Sequence, residues 1–180
     1  PIDWDSKDME LNSGSIDCIW NGFTMNGREE DYTWSKPYVD NSQVIVVPES
    51  SDVTDLSGLA GKIVGVQAAS AALELLSEGG DQADLAATFG SLQQFPDYNN
   101  AFVELQAGSI DAVAMDIGVA QYQLKQKEGY KILDEKLNSE KYAIGFKLGN
   151  EELRDTVDDA MEQLVADGTF AKLAEKYELT

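Results

Sequence analysis

From Gln43 to Val47 the chain reads Gln-Val-Ile-Val-Val between turn-forming residues, and such a β-branched run predicts a buried strand. Beyond it the pattern alternates. Apolar runs at Lys62 to Val66, Leu92 to Phe95 and Asp111 to Met115 predict strands, and the segments Ser70 to Ser77, Tyr98 to Gln106 and Gly118 to Lys125 predict helices. Strands alternating with helices imply a parallel sheet with helical crossovers. Before this block the pattern predicts a helix from Asp5 to Asn12 and a strand from Ile16 to Trp20, broken by Asn21-Gly22. After it, Tyr142 to Phe146 reads as one strand. A helix follows, capped by Asn150, with Glu151 and Glu152 in its first turn and an apolar stripe at Leu153, Val157, Met161, Leu164 and Val165. Gly168 ends it, and Thr169 opens a last helix carrying Phe170, Leu173 and Tyr177.

At 180 residues the chain is one domain or two small lobes. Thirteen Lys and Arg against 33 Asp and Glu leave a net charge of −20, with a pI near 4.1. The only arginines are Arg28 and Arg154, so a surface built to neutralise phosphates is not expected, and neither nucleic acid nor an anionic membrane is an expected partner. No histidine is present, which speaks against most hydrolytic and zinc chemistry and leaves carboxylate chemistry open. Cys18, the single cysteine, allows no internal disulfide, and its setting between Ile16 and Trp20 suggests a buried, inert thiol. No run approaches the roughly 18 apolar residues of a membrane span. Opening on Pro1 rather than Met reads as the trace of a removed leader.

In a parallel α/β sheet ligands collect beyond the carboxyl ends of the strands, where helix N-termini present backbone donors. Three loops occupy that position. Asn21 to Arg28 has two glycines that permit close approach, the Thr24 hydroxyl and the Arg28 guanidinium, a fork suited to a carboxylate. It also reads as a plain turn with a surface arginine. Gln67 to Ala72 leads into a helix with Ser70 as N-cap, a second anion site or an ordinary cap. Asp116 follows an apolar strand and needs a cation or hydrogen-bond donors, or caps the next helix itself. Together the loops complement an amino-acid zwitterion. Trp4 reads as a stacking residue or a core staple, and Trp34, Phe95 and Tyr98 as packing.

Several segments carry a resemblance. Asn12 to Asp17, Asn21 to Arg28, Tyr32 to Tyr38, Gly61 to Gln67, Gly108 to Asp116 and Ala166 to Thr169 resemble, in order, the polar amino-acid-binding proteins of ABC importers, the family 3 extracellular solute-binding proteins. Many members have one more residue between the threonine and the arginine. The resemblance implies an α/β, periplasmic-binding-protein-like fold: two α/β lobes joined by two crossing strands and closing on the ligand like a hinge. Residues 43–137 would form lobe 2, and residues 1–42 and 138–180 a partial lobe 1. Roughly 50 residues that usually open lobe 1 would precede Pro1. An incomplete lobe is expected to be poorly ordered or covered by another chain, for example in a domain-swapped homo-oligomer.

By the same resemblance Arg28 would bind the ligand carboxylate with Thr24 and the helix start at Ser70 and Ala71. Asp116 and the backbone at Asn21 or Gly22 would bind the ammonium, Trp4 would stack on the ligand side chain, and Gln67 would face its far end. The expected protein is a non-enzymatic receptor, without metal or cofactor, that captures a polar amino acid such as glutamine or cystine and passes it to a membrane permease. It would work outside the cytoplasm, periplasmic or lipid-anchored, its signal peptide removed. The alternatives are a sensor domain of a receptor kinase or chemoreceptor, and a dehydratase of the same fold.

Overall fold

The computed structural model describes residues 2–177. In chain order the elements are α1 (Lys7–Ser13), β1 (Cys18–Ile19), β2 (Thr33–Trp34), β3 (Val39–Asn41), β4 (Gln43–Pro48), β5 (Ile63–Gln67), α2 (Ala71–Leu76), α3 (Ala83–Ala86), β6 (Ser91–Phe95), α4 (Tyr98–Ala107), β7 (Ala112–Asp116), α5 (Ile117–Gln126), β8 (Tyr130–Lys136), β9 (Glu140–Tyr142), β10 (Gly145–Phe146), α6 (Glu151–Ala166) and α7 (Thr169–Tyr177). Short 3-10 turns add Trp4–Ser6 and Leu56–Leu59. The chain folds into two compact units, residues 2–5 with 42–139 and residues 6–41 with 140–177.

The unit formed by residues 42–139 is a five-stranded sheet in the order β6-β5-β7-β4-β8. Its inner strands β4, β5 and β7 are apolar at successive positions because both faces are covered. Ile45, Val47, Val64, Val66, Ala112 and Ala114 point to the face that α2 and α3 cover. Val44, Val46, Val113 and Met115 point to the face that packs against Phe102 and Leu105 of α4 and Ala120 of α5. The expected all-parallel sheet is corrected by one strand. β5 is parallel to β6 and β7, whereas β4 is antiparallel to both β7 and β8, so β4 alone runs against the other four. β4 enters the unit directly at Ser42 rather than through a helical crossover, and nothing obliges it to follow the polarity of the βαβ units. Gln43, its first residue, therefore lies at the sheet end where β7 finishes, in register with Asp116.

The second unit contains a three-stranded antiparallel sheet, β1-β10-β2, and the antiparallel pair β3–β9. Here the single strand expected over Tyr142 to Phe146 is split. β9 pairs with β3, and at Ala143 and Ile144 the chain changes partners: the Ala143 N–H donates to the Phe23 carbonyl (3.1 Å) and the Ile144 N–H to Ser35 Oγ (2.8 Å). The core is an aromatic cluster in which Phe23, Tyr32 and Trp34 lie 4.9 to 5.1 Å apart between ring centroids. Gly145 is seated under it, because a Cβ there would stand 2.7 Å from the Phe23 ring. Asn150 occupies the N-cap of α6, but its side chain makes no cap hydrogen bond. α7 begins with the Thr169 N–H donating to Asp167 Oδ1 (2.8 Å). Of the expected stripe on α6, Leu153, Val157 and Met161 are half-buried while Leu164 and Val165 are exposed.

Cys18 is half-buried rather than fully buried, and its thiol pKa is raised by burial and by the neighbouring Asp17. Among the described residues no helix is long and apolar enough to cross a membrane.

Candidate functional site

Each unit carries its own group of candidate residues. In residues 6–41 with 140–177, the loop after β1 folds back tightly because the Phe23 N–H donates to the Asn21 carbonyl (2.7 Å) and the Gly22 N–H to Asn21 Oδ1 (2.8 Å). Gly22 is packed against the phenol end of Tyr142, which would stand 3.0 Å from a Cβ. The loop's second half is stitched to β9. Thr24 bridges to Tyr142, the Met25 N–H donates to the Lys141 carbonyl (3.0 Å), and the Lys141 N–H donates to Asn26 Oδ1 (2.8 Å).

Arg28 is only 7% exposed. Its guanidinium lies over the Phe23 ring, 5.4 Å from the centroid, and Nη1 reaches the Thr24 carbonyl at 3.4 Å. Its own carbonyl accepts from Trp34 Nε1 (3.0 Å), so the packing tryptophan also fixes the arginine's backbone. A guanidinium set against an aromatic floor retains its donor fork with little rotamer freedom.

Thr24 is buried, and its hydroxyl donates to Glu140 Oε1 at 2.6 Å. A carboxylate only accepts, so this bond uses the single hydroxyl proton. What Thr24 Oγ1 offers a ligand is therefore a lone pair. That is the chemistry for an ammonium, whereas the resemblance had placed the side chain with the carboxylate.

In the other unit Gln67, Ser70, Ala71 and Asp116 come together at the carboxyl ends of β5 and β7. Gln67 Nε2 donates to the Pro96 carbonyl (3.3 Å). Ser70 is occupied as a cap: its Oγ donates to the Gln67 carbonyl (2.8 Å) and accepts from the Leu73 N–H (3.2 Å). The turn before it holds Ala69 at φ +53°, a left-handed conformation that costs a residue with a Cβ about 1–2 kcal/mol. Asp116 is 9% exposed. It stands at the N-cap of α5 without capping it, and its carboxylate accepts instead from Gln43 Nε2 (2.8 Å) and the Tyr98 hydroxyl (3.2 Å). Tyr98, expected only to pack, thus orients a carboxylate. Trp4 is half-buried and groups with this unit. Among the described residues no set of three or more Cys, Asp or Glu side chains is placed to hold a metal ion.

Sequence reasoning passed over three residues. Gln43 is 0% exposed, and its signal was a polar residue opening an otherwise apolar strand. Glu140 is 3% exposed and carried no local signal. Trp20, 53% exposed at the end of β1, is an aromatic beside the Asn21-Gly22 turn.

Two α/β units between which the chain passes three times give it the fold of the periplasmic amino-acid-binding proteins. The chain belongs to the bacterial extracellular solute-binding proteins, family 3, which it matches over residues 1–180. It is 26% identical over 181 residues to the L-cystine-binding protein TcyJ of Escherichia coli, covering 98% of this chain and 65% of that protein. It is 28% identical over 186 residues to the histidine-binding periplasmic protein of Salmonella typhimurium, covering 93% and 66%. The chain thus spans just under two-thirds of the length of these relatives. Among solved structures it resembles an ABC uptake transporter substrate-binding protein from Streptococcus pneumoniae with bound histidine, with TM-score 0.91, 30% identity, and coverage of 98% of this chain and 74% of that one. An ancestral arginine-binding protein bound to glutamine matches with TM-score 0.87 and 34% identity, covering 98% and 77%.

Proposed function

We propose that this protein is the substrate-binding component of an ABC importer, capturing a polar amino acid outside the cytoplasm and presenting it to a membrane permease. The observation that carries the reading is a buried guanidinium, Arg28, on a loop of one unit and a buried carboxylate, Asp116, at a strand end of the other, Arg28 reaching the Thr24 carbonyl and Asp116 accepting from Gln43 and Tyr98. An α-amino acid needs that combination: a planar donor fork for its carboxylate and an acceptor for its ammonium. Arg28 takes the carboxylate, with the amides at Ser70 and Ala71. Asp116, Thr24 Oγ1 and the backbone at Asn21 or Gly22 take the ammonium. Gln67 and Trp4 face the side chain.

The relatives named above bind cystine and histidine, and solved neighbours hold histidine and glutamine, which supports a polar side chain in the ligand. Binding without chemistry is the reading for this site, because Asp116 is committed to two donors and to the ligand ammonium. The experiment is a thermal-shift screen against the twenty amino acids and L-cystine. A ligand at a hundred times its Kd stabilises the fold by about 2.7 kcal/mol, a rise of about 5–10 °C in Tm for a protein of this size. No rise with any of the 21 compounds overturns the reading.

A further inference from the structure

Besides its crossing at residues 5/6, the chain passes from one unit to the other at residues 41/42 and at 139/140. Asn41 and Glu140 are direct register partners in the β3–β9 pair, so both passages leave their unit side by side. Glu140 is buried there, and a carboxylate in that position must be met by donors. Its Oε1 accepts from Asn41 Nδ2 on the neighbouring passage strand and from Thr24 Oγ1 on the loop after β1, both at 2.6 Å.

β9 already fixes that loop's backbone through Tyr142 and Lys141, and backbone contacts alone leave the Thr24 hydroxyl free to rotate. Glu140 removes that freedom. We propose that Glu140 is a positioning residue for ligand capture: it holds the Thr24 hydroxyl with its lone pairs presented to an ammonium and ties this polarity to the strand pair through which the units are joined. The proposal rests on the assignment of Thr24 to the ligand site made above. Glu140 itself does not touch the ligand. Its action runs through Thr24, and that dependence separates a positioning role from a merely structural one.

The test is a double-mutant cycle by isothermal titration calorimetry, with L-arginine, L-histidine, L-glutamine and L-cystine as ligands and wild type, Glu140→Met, Thr24→Val and the double variant as proteins. Met fills the volume of Glu and removes the acceptor. For whichever of the four amino acids binds wild type, Glu140→Met is expected to raise Kd about tenfold, and to raise it less than twofold in the Thr24→Val background. Glu140→Gln, which retains an oxygen for both donors, is expected to stay within about threefold of wild type. An equal loss in both backgrounds, or no loss in wild type, overturns the positioning role while leaving amino-acid capture intact. Failure of wild type to bind any of the four overturns the capture reading for these ligands and this proposal with it. Should Glu140→Met fail to fold, Glu140→Asp, which withdraws the oxygens by one methylene, is run through the same cycle with the same outcomes.

Discussion

Arg28→Ala separates what the guanidinium does for the fold from what it does for a ligand. In the free protein the side chain gives up its place over the Phe23 ring and the long 3.4 Å contact to the Thr24 carbonyl. A partly desolvated cation–π contact is worth about 1–2 kcal/mol, and at 3.4 Å the hydrogen bond adds little. The expected loss of stability is therefore about 1–2 kcal/mol, or a fall of about 2–8 °C in Tm. Ligand binding loses more. A charge-assisted hydrogen bond is worth about 1.5–3 kcal/mol, which raises Kd about tenfold to a hundredfold or somewhat more. The loop backbone stays in place, because Trp34 Nε1 holds the carbonyl of residue 28 and not its side chain. Arg28→Lys keeps the charge but not the fork and is expected to fall between the two. The assay is calorimetric titration of the same amino acids, with Tm read in parallel. Binding by Arg28→Ala within twofold of wild type would refute the assignment, since it would place the ligand carboxylate elsewhere.

Three further outcomes follow from local geometry. Ser70→Ala deletes both the acceptor for the Leu73 N–H and the donor to the Gln67 carbonyl, and should cost about 1–2 kcal/mol, measured by urea denaturation. Gly145→Ala puts a Cβ 2.7 Å from the Phe23 ring, which Tyr32 and Trp34 hem in. The expected loss is about 1–3 kcal/mol, together with weaker ligand binding because Phe23 is the floor under Arg28. Burial raises the phenol pKa of Tyr32, whose hydroxyl also donates to the Asp8 carboxylate, and burial raises that of Tyr38. Their neutral forms are favoured in the fold, so this stability is fully present below the ordinary tyrosine value of about 10 and is lost as pH rises through the higher folded values. Absorbance at 295 nm should show Tyr32 and Tyr38 ionising at higher pH in the folded protein than in guanidinium, with stability declining above pH 10.

The central βαβ block was legible because its signals are local. Apolar runs alternating with helical segments place β5, β6 and β7, and reading the residue just past each strand finds Gln67, Ser70 and Asp116 at one sheet end. What escaped depends on where the chain changes units. Nothing near Gln43 announces that its strand enters from outside and runs backwards, and that reversal is what sets the Gln43 amide against Asp116. Tyr142 to Phe146 has the composition of one strand, yet its two halves serve different sheets, because Ile144 bonds to Ser35 instead of continuing the β9 ladder. Glu140 looks like a solvated acid at a strand edge until Thr24, 116 positions away, is brought to it.

Gln43 and Glu140 also share a position. Each stands within one residue of a passage between the units, each is buried, and each is hydrogen-bonded within its own unit to a residue assigned to the ligand, Asp116 for Gln43 and Thr24 for Glu140. Strand formation does not require either residue, because the neighbouring Val44 to Val47 run shows that β-branched residues build such a strand with no polar group to satisfy. A buried amide or carboxylate without partners would cost about 1–3 kcal/mol or more, so these side chains fit their positions only together with the residues they hold. It follows that replacing Gln43 with Leu should be tolerated better when Asp116 is changed to Asn than when Asp116 is retained, since the Leu leaves a buried charge with one fewer donor. Urea denaturation of the two single variants and the double variant measures that coupling. Additive losses would mean that Gln43 is held by strand packing alone and that its bond to Asp116 is incidental.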